Sequence, residues 1–156
     1  MTLTKSDLAL RPMTFEDLTL VWKWRNHDSI RACAIRSDPI SWVNHLHWWH
    51  YDVLNERYIF TENERSIGVV MFDLESGYWS FYLDPDLPRG RGYGKAMLRL
   101  ALETIDKSCL EVKATVHKWN KASLRLHEEF GFTETKTEEG LIYFIRPSIE
   151  RRNLVG

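Results

Sequence analysis

The residues whose types and spacing promise chemistry run from Asp86 to Met97, DLPRGRGYGKAM. Glycines stand at Gly90, Gly92 and Gly94, with Arg89, Arg91, Tyr93 and Lys95 between and beside them. Glycine lets a backbone turn sharply and leaves its amides uncovered. The first amides of a helix lack internal partners, and the helix dipole adds positive character there. Such a turn binds phosphate. The stretch therefore reads either as a pyrophosphate cradle or as a glycine-rich turn with solvated basic side chains. A mononucleotide phosphate loop would need glycine at position 89 and Ser or Thr at position 96, where Arg89 and Ala96 stand. A dinucleotide-binding turn would need its third glycine at Lys95 and an early βαβ unit, which is absent.

The flanking elements must position this turn. DLALRPM alternates like a first strand. TFEDL carries a capping box with Thr14 as N-cap and Asp17 three residues on, and a helix continues through LTLVWKWRN. RSDPI breaks the chain before a second helix, SWVNHLHWWHYDVLN, capped by Ser41. RYIFTE, SIGVVMFDL and GYWSFYL read as strands, the first two separated by the polar turn NERS. After the glycines, YGKAMLRLALETIDK has helical periodicity, LEVKATV alternates, and NKASLRLHEEFGF is a short helix closing at Gly131. TETKTEE and LIYFIRP end the chain as a hairpin-like pair around Gly140. The fold class is α/β, an α+β mixed sheet with helices on both faces, expected as a single domain over residues 1–156.

Composition narrows the function. The chain has 156 residues and 44% hydrophobic content, enough for one domain with a substantial core, and is rich in Trp, with seven. No run suits a bilayer span, so no membrane attachment is expected. The start MTLTKSDLALRP lacks a secretory pattern. A net charge of −1 argues against a nucleic-acid partner. Cys33 and Cys109 have no metal or redox spacing, so a reduced, cytoplasmic chain is expected. His45, His47 and His50 do not share one helical face, so no metal site is expected.

Arg89-x-x-Gly92-x-Gly94 resembles the motif with which GCN5-related N-acetyltransferases hold the pyrophosphate of acetyl-coenzyme A. Leu83, Asp84 and Pro85 resemble the family's strand ending, with one extra residue before the arginine. Asn120, Ser123, Leu124, Leu126, Gly131 and Phe132 resemble its downstream helix, with His127 in the usual tyrosine place. The resemblance implies that family's acyl-CoA N-acyltransferase fold, with splayed central strands, and acetyl-CoA as co-substrate. It implies cofactor contacts along Phe81, Tyr82 and Leu83, across Arg89, Gly90, Arg91, Gly92, Tyr93, Gly94 and Lys95, and at Asn120 and Ser123. WKWRNHDSIR and SDPISWVNHLHWW further resemble sugar-nucleotide N-acetyltransferases of the pseudaminic acid pathway, which implies a UDP-linked amino sugar as acceptor. WRN is shared with acyltransferases of ribosomal-protein N-termini, so a peptide or another small-molecule amine is the alternative acceptor. A CoA-binding module without chemistry is a third reading.

The chemistry is attack of a neutral amine on a thioester carbonyl. The amine must lose a proton, and the developing oxyanion needs donors such as strand amides. His127 can protonate the leaving thiolate or fill a structural place. Ser80 can relay a proton through water or be an ordinary strand serine. Arg25, Asn26 and Arg31 can grip a sugar diphosphate or solvate a helix end. The rings from Trp42 to Tyr51, Trp49 among them, offer a stacking wall for a sugar or nucleobase; core packing or a homodimer surface explains them equally.

Overall fold

The computed structural model describes residues 8–108 and 110–155, with side chains to Asn153. Cys109 and the first residue of DLALRPM lie outside that range. Strand β1 (Leu8–Pro12) leads through a 3₁₀ turn (Phe15–Asp17) into α1 (Leu18–Asn26), α2 (Asp28–Cys33) and α3 (Trp42–Tyr51). Then come β2 (Asn55–Glu62), β3 (Arg65–Asp73), β4 (Trp79–Leu83), α4 (Tyr93–Asp106), β5 (Val112–His117), α5 (Lys121–Glu129), β6 (Thr133–Glu138), β7 (Leu141–Arg146) and α6 (Ile149–Val155). One antiparallel sheet has the order β1-β2-β3-β4, the other β5-β7-β6.

The first sheet is covered on both faces, which is why β3 reads as a nearly continuous apolar run. Phe60, Val70 and Phe72 face α4, while Ile59 and Val69 face α1 and the ring-rich α3. The register slips between Phe60 and Thr61, leaving Ile67 unopposed and turning it toward α4. A Cβ at Gly68 would stand 3.0 Å from Leu83 Cδ2 and from Met97 Sδ, so α4 lies this close to the sheet because position 68 is glycine. Helix α4 buries Tyr93, Met97, Leu98, Ala101, Leu102 and Ile105 along one stripe.

The two sheets share one core, to which Val112, Ala114, Val116 and Phe144 contribute from the second. Among the described residues, their facing edges nonetheless meet in a single parallel bridge, between Tyr78, just before β4, and Lys113 of β5, where Lys113 N–H donates to Gly77 O at 2.7 Å. Beyond that bridge β4 and β5 part. The strand splay implied by the resemblance is therefore present.

Three elements differ from the sequence reading. His27 leaves the helical region (φ −66, ψ 139) and its ring accepts from Ser29 N–H, so α2 is a separate helix. Helix α3 stops at Tyr51 and not at Asn55, because the Arg57 guanidinium donates to the carbonyls of Trp48 and Asp52, at 3.0 and 2.6 Å. Helix α6 follows LIYFIRP, in a segment to which the sequence reading assigns no element. An ion cluster fixes it: Arg146 donates both Nη groups to Asp106 at 2.8 and 3.0 Å, and Arg152 joins the same carboxylate at 2.9 Å.

Arg146 is 6% exposed and also donates to Phe130 O at 3.0 Å, so it ties β7 to the ends of α4 and α5. Burial pushes the Asp106 carboxyl up, but the hydrogen bonds and charges of Arg146 and Arg152 outweigh it and hold it below its ordinary value. Its stabilising contribution is thus present above the ordinary carboxylate range and is lost as pH falls through the lowered value. Arg146→Ala is expected to destabilise the protein by about 3 kcal/mol at neutral pH. Denaturant titrations should also show the variant losing less stability than the parent between about pH 5 and pH 2.

Candidate active site

The turn after β4 is open. Gly90 (φ +75) and Gly92 (φ +81) are both left-handed, and a Cβ at either would meet nothing within 4 Å. Gly92 is the N-cap of α4, and the first helical bond runs from Ala96 N–H to Gly92 O. Among the described residues, no acceptor faces the amides from Gly90 to Lys95. A Cβ at Gly94 would make ordinary contacts at 3.9 Å with Leu126 and Leu83, so the fold does not itself demand glycine there. Arg89 and Arg91 are exposed and make no hydrogen bond or ion pair among the described residues. This arrangement fits a pyrophosphate.

Strand β4 supplies the second part. Tyr78 O accepts from Asp73 N–H and Asp84 N–H donates to Ile67 O, which fixes the alternation of the ladder. Ser80 and Tyr82 therefore exchange backbone bonds with β3, and the polar groups of Phe81 and Leu83 point into the splay. The expectation that Phe81, Tyr82 and Leu83 all offer backbone groups to the pantetheine is corrected: Tyr82 is committed to β3. Its side chain instead packs toward α1 and donates to Val21 O at 3.5 Å, and burial pushes its phenol up. Alternation along WSFYL carries the signal for this, since it puts Tyr82 and Ser80 on one face and Phe81 on the other.

Several expected contacts serve the fold. The Tyr93 side chain is buried, and its hydroxyl donates to Glu62 at 2.9 Å, so only its amide faces the turn. Lys95 pairs with Glu129 at the end of α5, in an exposed ion pair. Asn120 caps α5 by accepting from Ser123 N–H at 3.3 Å.

His127 does not stand where a proton donor must. It is 1% exposed, ringed by Trp79, Phe81, Phe132 and Phe144 at centroid distances of 5.7, 5.8, 4.9 and 5.5 Å. Nδ1–H donates to Ser123 O at 2.7 Å and Nε2 accepts from Trp79 Nε1–H at 3.2 Å. Burial pulls its pKa down, so the ring is neutral with both nitrogens engaged. The role of acid toward a leaving thiolate is thereby corrected to that of a hydrogen-bonded core residue. Ser80 is exposed on the α1 side of β4.

The candidate acceptor residues converge on the loop from Ala34 to Ser41. Asn26 closes two bonds on Ile40, donating to its carbonyl at 2.8 Å and accepting from its amide at 2.7 Å. Arg31 donates to Ser37 O at 2.8 Å, and Arg25 Nη2 to Arg36 O at 2.7 Å. Asn26 and Arg31 are therefore loop anchors, not free phosphate ligands. Sequence reasoning missed two further anchors: Trp22 Nε1–H donates to Ile40 O at 2.7 Å, and His117 Nε2 meets Ala34 O at 2.9 Å, joining the loop to β5. Arg25 differs, because its Nη1 is buried without a partner. Trp49 is half-buried, with the Arg57 guanidinium 4.9 Å from its ring centroid, so that ring covers a structural cation. Among the described residues no cluster suits a metal ion, and no helix is long and apolar enough to cross a membrane.

His127→Phe should leave the pH–rate profile unchanged while lowering stability by about 1–3 kcal/mol, because Trp79 Nε1–H loses its buried acceptor. Loss of a limb from the profile in a folded variant would return His127 to the chemistry. Because its folded pKa is depressed, the parent should lose stability as pH falls below about 6.5, and the variant should lose less.

The profile of the acetyltransferase (GNAT) family matches residues 20–132. A prophage-derived uncharacterized N-acetyltransferase of Bacillus subtilis, YokL, is 30% identical over 139 residues, covering 83% of this chain and 77% of the relative. A domain from Methanocaldococcus jannaschii superposes with a TM-score of 0.79 at 23% identity, over 90% of this chain and 97% of that one. Spermidine N-acetyltransferase from Vibrio cholerae, solved with CoA and spermine, gives 0.75 at 18% identity, over 90% and 94%. With the open turn, the splayed strands and these likenesses together, the chain belongs to the acetyltransferase (GNAT) family and is an acetyl-CoA-dependent N-acetyltransferase.

Proposed function

We propose that the protein acetylates the primary amine of a small molecule, which enters on the Ser80 and Tyr82 face of β4, beneath α1 and the Ala34–Ser41 loop. The observation that carries this reading is Arg25 Nη1, a buried donor without a partner on the helix face above Tyr82. A buried N–H left unpaired costs about 1–3 kcal/mol, so an acceptor molecule that brings an oxygen to it gains that bond on binding. A UDP-linked amino sugar carries such oxygens on its diphosphate and is the finer form of the proposal, with Arg25 its one remaining cation from the WRN and IR runs. The spermidine N-acetyltransferase of Vibrio cholerae, solved with CoA and spermine, shares this fold, and a small polyamine is the alternative acceptor.

In the reaction the neutral amine nitrogen bonds to the thioester carbonyl carbon, the carbon–sulfur bond breaks, and sulfur keeps the electron pair. The register of β4 with β3 supports the amides of Phe81 and Leu83 as donors to the developing oxyanion. The proton shed by nitrogen passes to water, for which Ser80 is the exposed hydroxyl on the acceptor face. Holding both reactants across the splay supplies much of the rate.

Two tests separate the cofactor from the acceptor. Gly92→Asp sets a carboxylate on the open turn and should raise the KM for acetyl-CoA about tenfold, or about 1.4 kcal/mol, in a folded protein. Unchanged affinity would put the cofactor elsewhere. Thiol release with a UDP-4-amino sugar, spermine and a peptide amine in competition identifies the acceptor. Arg25→Ala should weaken the preferred acceptor and spare acetyl-CoA; equal losses for both, or turnover confined to the peptide, would overturn the small-molecule reading.

A further inference from the structure

The acceptor face has a second wall, on β5. The bridge between Tyr78 and Lys113 sets those two side chains on one face, with the Lys113 ammonium 5.9 Å from the Tyr78 ring centroid. Alternation carries Ser80 and Tyr82 of β4, and Thr115 and His117 of β5, to that same face. Val112, Ala114 and Val116 point the other way, into the core shared with α4. His117 ends β5 and is half-buried. Its Nε2 meets Ala34 O at 2.9 Å, and its ring stacks on Trp119, with centroids 5.4 Å apart and planes 19° from parallel. The Ala34–Ser41 loop is thus pinned to α1 at Arg36 and Ile40 and to β5 at Ala34. His117 stands under it on the β5 side of the gap, as Ser80 and Tyr82 stand on the β4 side.

The bond to Ala34 decides what this ring can do. A carbonyl oxygen only accepts, so Nε2 carries the hydrogen. In the neutral imidazole Nδ1 then keeps its lone pair, and among the described residues it makes no hydrogen bond. His127 is the contrast, with both nitrogens engaged inside the core. The charged and titratable side chains on the elements around His117 have other places. Arg31 of α2 is held by Ser37 O and Asp28, Tyr82 of β4 by Val21 O, and Tyr143 of β7 lies under the Lys136 ammonium at 4.5 Å. Cys33 of α2, Arg36 and Asp38 of the loop, and Lys118 are exposed. Among the described residues none of these side chains bonds the ring.

We infer that His117 Nδ1 is the base that takes the proton of the acceptor amine, through one water in the gap between β4 and β5, a role that rests on entry of the amine on this face. As nitrogen bonds to the thioester carbonyl carbon, its proton passes to that water, and a proton of the water passes to Nδ1. Sulfur leaves with its electron pair and takes a proton from solvent. Ala34 O faces the imidazolium through Nε2–H, so the bond that anchors the loop also fixes which ring nitrogen is basic.

Thiol release measured against pH at saturating acetyl-CoA, with two amines of different basicity, tests this. The parent kcat should rise with pH through an ionisation that keeps its position when the amine is changed. His117→Gln keeps a donor for Ala34 O but has no titrating nitrogen. It should lower kcat about a hundredfold and lose that limb, with the acceptor KM, the acetyl-CoA affinity and the melting temperature close to the parent's. In His117→Ala, added imidazole should restore part of kcat, and more of it as pH rises. A limb that survives in His117→Gln, or a loss confined to the acceptor KM, would reduce His117 to a loop anchor and leave the acceptor reading standing. Turnover confined to a peptide amine, with the limb lost in His117→Gln, would overturn the small-molecule reading and keep the base. A parent that acetylates no amine would overturn both.

Discussion

Backbone N–H and C=O groups inside a protein demand partners, and among the described residues they are left without them at the gap between β4 and β5. Strands β4 and β5 share the bridge at Tyr78 and Lys113 and then separate, so the polar edge of Phe81 and Leu83 has no neighbouring strand. Everything around the gap keeps it from closing. Helix α4 starts at its mouth from a left-handed glycine, and Gly68 lets that helix lie against β3. A thioester with an amide-bearing arm can use such an edge as a further strand would.

The gap persists because the sheets are wedged as well as joined. Trp79 and Phe81 from one side and Phe132 and Phe144 from the other close around His127. The imidazole is there as a neutral ring that satisfies the Trp79 N–H while filling aromatic space. At the distal end Arg146 binds Asp106 and the Phe130 carbonyl, so the second sheet is fixed to the helices that flank the cleft. A rigid frame holds an edge that would otherwise recruit a strand.

On the acceptor face, side chains that look like ligands work as tethers. Asn26, Arg31 and Trp22 hold the Ala34–Ser41 loop, and His117 ties it to β5 at the splay. Of the residues that touch this loop, Arg25 keeps a buried Nη1 without a partner among the described residues. The cleft is thus shaped by a loop pinned from both sheets' sides, with little free charge of its own.

The sequence by itself determined the strands, most of the helices and the turn. Alternation in WSFYL, periodicity in YGKAMLRLALETIDK and the spacing of Arg89, Gly92 and Gly94 are local patterns, and each reflects backbone geometry that the residues impose on themselves. Ser41 was legible as a cap for the same reason, whereas Asn120, read there as a cofactor contact, proves to be the cap of α5. What each polar side chain does was decided only by the tertiary structure. Asn26, Arg31 and His127 carry the right chemistry in the right segments, yet partners elsewhere in the chain, such as Ile40, Ser37 and Trp79, engage it. Which backbone groups of β4 remain free likewise depended on register with β3, a relation between strands that neither strand encodes alone. A residue type states what a group can donate or accept; only the fold states whether that capacity is already spent.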